Sequence, residues 1–127
     1  MSAGSKLRVT CTARPDSAKR MRHALAAFLD ALEVDSDHCD DVLTATGEAL
    51  ANAIEHAYDG AGGRGTVALE ADLAESGLSV NVSDRGHFIE RDLRPDRGFG
   101  LRIIRSIAES VDISTQDGTR IHMTFSM

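Results

Sequence analysis

The sequence predicts an α+β domain in which one mixed, mostly antiparallel β-sheet is covered on one face by three helices. Two observations carry this prediction. Stretches in which apolar and polar residues alternate, the period of a half-buried strand, occur near both ends and in the middle of the chain. Longer stretches repeat apolar residues every three or four positions, the period of an amphipathic helix. Strands and helices in this order are typical of a two-layer arrangement.

The first half of the chain predicts one strand and two helices. Alternation over 7–13 predicts the strand, and turn residues at 15–17 precede an amphipathic helix over 18–32. The acidic stretch 35–37 opens a second helix, which runs to about Tyr58, because acidic and capping side chains satisfy the free N–H groups at a helix start.

The second half predicts two hairpins separated by a helix. A glycine-rich connector leads into a hairpin over 67–82, and an irregular stretch over 87–99 leads into a helix with apolar spacing from Leu101 to Val111. A short strand near 111–114 and a last strand over 120–125 form the second hairpin.

Length, charge and residue content limit the classes of protein to which the chain can belong. A length of 127 residues predicts a single domain over 1–127, and the net charge of −6 argues against direct nucleic-acid or membrane-surface binding. No apolar run reaches transmembrane length, so cytoplasm is the expected location. The number and spacing of the two cysteines suit free thiols better than a disulfide or a zinc site. Six of the fourteen basic residues nevertheless lie between 85 and 105, a local positive stretch that suits an anion.

Glu48 and Asn52 lie four residues apart on the second predicted helix, so their side chains stand one above the other. A carboxylate and an amide in this arrangement can order a hydroxyl, a water or a hard cation such as Mg²⁺. The alternative is an ordinary solvated helix face, because Glu48 falls opposite the apolar arc of the helix together with Asp41, Thr44 and Glu55.

Three further signals follow in a fixed order. Asp84 and Gly86 stand where a strand ends, which suits a flat heterocycle held through its exocyclic amine, although Asp-x-Gly is also a routine turn. Gly98 and Gly100 open a helix just after Arg97 and offer N–H groups to phosphate. A Gly-Thr pair, residues 118–119, precedes the last strand. The joint order is more specific than any one signal.

With these motifs in this order, the chain resembles the GHKL or Bergerat-fold ATPases and, among them, the small bacterial anti-sigma-factor serine kinases that control stress and sporulation sigma factors. The resemblance covers residues 7–125. It implies a Bergerat two-layer sandwich that binds ATP or ADP with Mg²⁺. It also implies two protein partners, a sigma factor and an anti-anti-sigma factor that is phosphorylated on serine. Relatives of this kind often dimerise, so a homodimer is a further expectation.

Carried over position by position, the resemblance implies a role for each motif residue. Glu48 would be the general base for the attacking serine hydroxyl, and Asn52 would bind Mg²⁺. Asp84 would hydrogen-bond to the adenine amino group. Gly86 would leave room beside the base, and Thr119 would help hold adenine. Gly98 and Gly100 would place backbone N–H groups on the phosphates. Phosphate charge would be neutralised by one or more of four arginines, Arg85, Arg91, Arg94 and Arg97.

One departure from the family pattern keeps a second hypothesis open. The adenine motif usually reads Asp-x-Gly-x-Gly, and Phe88 replaces its second glycine here. A bulky ring at this position would narrow the approach to the nucleotide. The alternative is therefore a non-catalytic module of the same fold that regulates by protein contact alone. An ATPase subunit of a larger machine is a weaker third hypothesis.

Overall fold

The computed structural model describes residues 5–60, 65–84, 98–115 and 118–127. Its elements are β1 (Ser5–Thr12), α1 (Ser17–Ala31), α2 (Ser36–Gly60), β2 (Thr66–Ala74), β3 (Gly77–Asp84), α3 (Gly98–Ile107), β4 (Ser110–Ser114) and β5 (Arg120–Phe125). The sheet order is β1-β2-β3-β5-β4, and each pairing of these strands is antiparallel. The α+β class with three helices is confirmed. The described strands form an antiparallel sheet, without the parallel pairing that a mixed sheet would contain.

The core lies between the sheet and a single layer of helices. Strands β2, β3 and β5 bury every second side chain, and α2 packs between α1 and α3 while touching β2 and β3. Its largest fully buried members include Met21, Leu25, Leu29, Leu50, Leu69, Leu78, Ile104 and Met123. Burial of these apolar surfaces is the main stabilising contribution to the fold. None of the described helices is long and apolar enough to cross a membrane.

A serine hydroxyl joins β1 to α1. The Ser17 hydroxyl donates to the Thr12 carbonyl at 2.7 Å and accepts from the Arg14 N–H at 3.2 Å. Asp16 occupies the N-cap position, but its side chain makes no capping hydrogen bond. The predicted turn at 15–17 is therefore present, and the buried Ser17 satisfies backbone groups of the turn and the preceding strand.

Helix α1 ends in a left-handed residue. Glu33 has φ of 59°, and the Val34 N–H donates to the Leu29 carbonyl at 3.1 Å while the Glu33 N–H donates to the Asp30 carbonyl at 3.0 Å. This is the hydrogen-bond pattern of a Schellman cap, in which glycine is the usual left-handed residue. A side chain at this position costs free energy because its Cβ crowds the backbone.

Helix α2 begins at an acidic cap, as predicted. One carboxylate oxygen of Asp35 accepts from the His38 backbone N–H at 3.3 Å, and the other contacts the His38 ring nitrogen Nδ1. One turn in, the Cys39 thiol donates to the Val34 carbonyl. Cys39 and Cys11 are both free and half-buried, which confirms the prediction of free thiols. Burial, together with nearby Asp35, raises the pKa of Cys39.

The boundary between α3 and β4 falls between Ile107 and Ser110. The helix opens at the Gly98 end as expected, but it ends at Ile107. Val111, which continues the helical apolar spacing, lies in β4 opposite Met123 of β5. The predicted short strand near 111–114 is confirmed, and pairing with β5 assigns Val111 to it although the helical spacing fits this residue as well.

Candidate functional site

Glu48 and Asn52 are more sheltered than their neighbours on α2. Both side chains are half-buried, whereas Asp41, Thr44 and Glu55 are exposed. The solvated-face interpretation therefore describes these three neighbours better than it describes Glu48 and Asn52, which are partly covered. The pair stands beside the buried face of the helix and remains accessible enough to meet a ligand or a partner side chain.

Arg22 of α1 lies across the turn of α2 that leads into Glu48. Its Nη1 and Cδ atoms are 3.5 and 3.6 Å from the point where a Cβ of Gly47 would stand. The absent side chain thus leaves room for a long cationic one. Sequence reasoning missed this residue, because the packing of α1 on α2 is a tertiary contact and Arg22 looked like one more charge on a polar helix face.

Asp84 and Thr119 meet at the end of the sheet. Asp84 is the last residue of β3 and is 3% exposed, and Thr119 immediately precedes β5 and is 8% exposed. The Asp84 N–H donates to the Thr119 carbonyl at 2.9 Å. The register of β3 on β5 therefore brings together the two residues that the sequence assigned to one heterocycle.

The polar groups at this position fit a purine with an exocyclic amine. The Thr119 hydroxyl is buried and makes no hydrogen bond within the described part of the chain. Buried hydroxyls rarely stay without a partner, so this one is available to a ring nitrogen or a bridging water. The Asp84 carboxylate beside it supplies acceptors for an amine, and an ionised carboxylate can only accept.

The first turn of α3 offers backbone N–H groups that suit a phosphate. Gly98 and Gly100 both lie in that turn, where backbone N–H groups have no partner within the helix. The first turn of α3 itself holds no acidic side chain, so no carboxylate within the turn competes with an anion for the positive end of the helix dipole. Helix α3 packs against α2, which also contacts β3. Three of the four predicted motifs thus belong to directly packed elements.

Some of the predicted positions lie outside the described residues. These are Gly86, Arg97, Phe88 and the other arginines between 85 and 94. Within the described residues, no three His, Cys, Asp or Glu side chains come close enough to hold a metal ion. A hard cation at Asn52 would accordingly take further oxygen ligands from a bound phosphate and from water.

In this α+β domain the buried polar groups of Asp84 and Thr119 suit a base, and the N–H groups at the start of α3 suit phosphate. The chain belongs to the histidine kinase-like ATPase domain family, whose profile matches residues 11–125. Membership of an ATPase family implies that the domain binds a nucleotide.

Curated relatives of similar length are anti-sigma F factors from clostridia. The protein from Clostridium botulinum strain Eklund 17B is 29% identical over 117 residues, which covers 80% of this chain and 80% of the relative. The protein from Clostridium beijerinckii is 25% identical over 126 residues and covers 90% of this chain and 87% of the relative. The similarity thus extends over most of both proteins.

Solved structures share the fold. The structure of the RsbU and RsbW domains of Rv1364c from Mycobacterium tuberculosis matches with a TM-score of 0.78 and 24% identity. That match covers 96% of this chain but only 32% of the larger mycobacterial chain. The SiaB–SiaC complex from Pseudomonas aeruginosa matches with a TM-score of 0.56 and 16% identity, over 95% of this chain and 88% of the other. At these identities the likeness establishes the architecture alone.

Proposed function

We propose that this protein is an anti-sigma factor with ATP- and Mg²⁺-dependent serine kinase activity, which phosphorylates an anti-anti-sigma factor and sequesters a sigma factor. The observation that carries the proposal is the buried Asp84 held against Thr119, on a strand that packs on the helix carrying Glu48 and Asn52. The clostridial anti-sigma F factors support the class of activity.

The base end of the site selects adenine by hydrogen bonding. The Asp84 carboxylate accepts from the exocyclic amine, and the Thr119 hydroxyl donates to a ring nitrogen directly or through water. Both groups are buried, so a base without the amine would lack the donor that the Asp84 carboxylate can accept from. The backbone N–H groups of Gly98 and Gly100 receive phosphate oxygens at the start of α3.

Glu48 performs proton transfer at the other end of the site. Bound ATP with Mg²⁺ supplies the phosphoryl group and the positive charge that stabilises its transfer. Glu48 accepts the proton of the partner's serine hydroxyl as that oxygen bonds to the γ-phosphorus and ADP leaves. Asn52, one turn further along α2, offers its amide oxygen to the metal. The half-burial of Glu48 leaves it within reach of a partner side chain.

Substitution of Glu48 tests the catalytic role. The full chain is incubated with labelled ATP, Mg²⁺ and its anti-anti-sigma partner, and Glu48→Gln should abolish labelling of the partner serine while ADP still raises the melting temperature. The matched control is Glu55→Gln, the same change at an exposed position on the same helix. Normal label transfer by Glu48→Gln would disprove the role of Glu48.

Substitution of Asp84 tests the nucleotide site separately. A ligand that binds only the folded state adds about 2.7 kcal/mol when present at 100 times its Kd. We expect this stabilisation with ATP or ADP for the wild type and a much smaller one for Asp84→Asn.

The non-catalytic module remains the second candidate, because Phe88 replaces a glycine of the adenine motif. Calorimetry that detects no binding of ATP or ADP at millimolar concentration with Mg²⁺ would favour that module over the kinase.

A further inference from the structure

The outer face of α3, formed by Arg102, Ile103, Arg105 and Ser106, combines an exposed apolar side chain with positive charge. Ile103 is 36% exposed, and apart from Met127 at the C-terminal end it is the only large apolar side chain that the described residues leave exposed. Helix α3 contains two arginines and no acidic residue. In a chain of net charge −6, this face is therefore a local region of opposite sign.

Packing within the chain accounts for the other apolar side chains of α3 but not for Ile103. Ile104 is fully buried, and Leu101 and Ile107 are half-buried against the core, whereas Ile103 lies outside this cluster. Arg105 stands in the last turn, where a cation stabilises the helix dipole, so its charge also has a local explanation. That explanation does not extend to an exposed isoleucine. An apolar group of a partner that covered Ile103 would remove this surface from water.

The position of the outer face limits which partner can cover it. Helix α3 begins at Gly98, in the turn whose N–H groups suit phosphate, and Ile103 follows about 7.5 Å further along the axis at 1.5 Å per residue. Helix α3 also packs against α2, which carries Glu48. A protein whose serine reaches both Glu48 and the γ-phosphate therefore brings its neighbouring surface close to α3.

We propose that the outer face of α3 is a docking surface for the anti-anti-sigma factor, which covers it with an acidic, partly apolar surface beside the phosphorylated serine. This inference rests on the proposed function, because it assigns the docking surface for the protein substrate of that reaction. Ile103 packs against an apolar group of the substrate, and Arg102 and Arg105 face its carboxylates. Charges at the rim of a contact mainly speed association, whereas most other contacts act on dissociation.

Binding kinetics separate these two contributions. The full chain is immobilised in the presence of ADP, and the unphosphorylated anti-anti-sigma factor is passed over it, so that no phosphoryl transfer occurs. Ile103→Glu should weaken binding about tenfold or more, mainly through faster dissociation, because the contact would desolvate an unpaired carboxylate. Arg105→Ala should slow association about threefold at about 50 mM salt and have little effect at about 500 mM, because salt screens the charges that steer association.

The matched control is Met127→Glu, which places the same charge on the other exposed large apolar side chain and should bind as the wild type does. Circular dichroism and the rise in melting temperature with ADP establish that each variant is folded and binds nucleotide.

The proposal is overturned if Ile103→Glu binds the anti-anti-sigma factor as the wild type does, or if Met127→Glu weakens binding equally. It is also overturned if Ile103→Glu weakens only sigma-factor binding or only self-association, or if the wild type does not bind the anti-anti-sigma factor. Failure of the proposed function alone would appear differently, as a wild type that binds this partner through α3 but transfers no label to it.

Discussion

Replacing Gly47 by alanine should raise the free energy of unfolding by about 1 kcal/mol. Gly47 lies inside α2, where glycine is about 1 kcal/mol less favourable than alanine. The new Cβ would stand 3.5 Å from the nearest atom of Arg22, an ordinary van der Waals distance, so no steric cost offsets the gain. For a domain of this size the expected rise in melting temperature is about 3–5 °C.

The same substitution at Gly77 should act in the opposite direction. Gly77 has φ of 132°, a conformation that side chains disfavour, and a Cβ there would stand 2.6 Å from the Phe125 carbonyl oxygen of β5. Because the obstacle is backbone, β3 and β5 must shift to relieve it. We expect Gly77→Ala to lose about 2 kcal/mol or more.

Urea unfolding followed by circular dichroism measures both variants beside the wild type, and the difference between them should approach about 3 kcal/mol. A loss of stability in Gly47→Ala would refute the reasoning, since it would mean that the position of Arg22 tolerates no methyl group. If Gly47→Ala is stabilised yet loses the thermal shift with ADP, the absence of a side chain at residue 47 is needed for ligand binding instead.

Two further predictions concern the ends of α1 and α2. Glu33→Gly should stabilise the protein by about 0.5–1 kcal/mol, because glycine adopts the left-handed conformation at the end of α1 without strain and this gain exceeds its entropic cost. Chemical denaturation would show whether the free energy of unfolding rises. At the start of α2, the hydrogen bond between Asp35 and His38 raises the pKa of His38 above its ordinary value of 6.5 and lowers the pKa of Asp35 below 3.8. The contribution of His38 to stability is complete below pH 6.5 and is lost as pH rises through the pKa of His38 in the folded state. The contribution of Asp35 is complete above pH 3.8 and is lost as pH falls through the pKa of Asp35 in the folded state. NMR titration of the His38 ring should show the raised pKa, and Asp35→Asn should lower it; an unchanged His38 pKa in that variant would contradict the assignment.

Local periodicity was sufficient for most of the fold. The alternation in β1, β2, β3 and β5 and the helical spacing in α1 and α2 predicted elements that the structure contains. The exceptions are positions where one residue fits two patterns. Val111 extends a helical spacing and also alternates with Asp112, and only the register on β5 decides between them. Asp16 has the chemistry of a cap, but the Ser17 hydroxyl is the one that makes the local hydrogen bonds.

The motifs of the candidate site can be read from the sequence, but their arrangement in space cannot. Nothing in the helical wheel of α2 separates Glu48 from the exposed Glu55, because half-burial depends on how the helices pack together. The contact of Asp84 with Thr119 follows from strand pairing between β3 and β5, which joins residues far apart in sequence.

The hydrogen bond between Asp84 and Thr119 has a consequence for how such a site can diversify. Strand pairing sets the relative position of these two residues, which we propose bind the base, and the segment that connects β3 to α3 takes no part in it. A change in the length of that connection alters loop-closure entropy by only about 0.6 kcal/mol per doubling. Insertions between β3 and α3 can therefore be tolerated while Asp84 and Thr119 keep their register. Recognition of the base and recognition of the phosphates can then evolve at different rates.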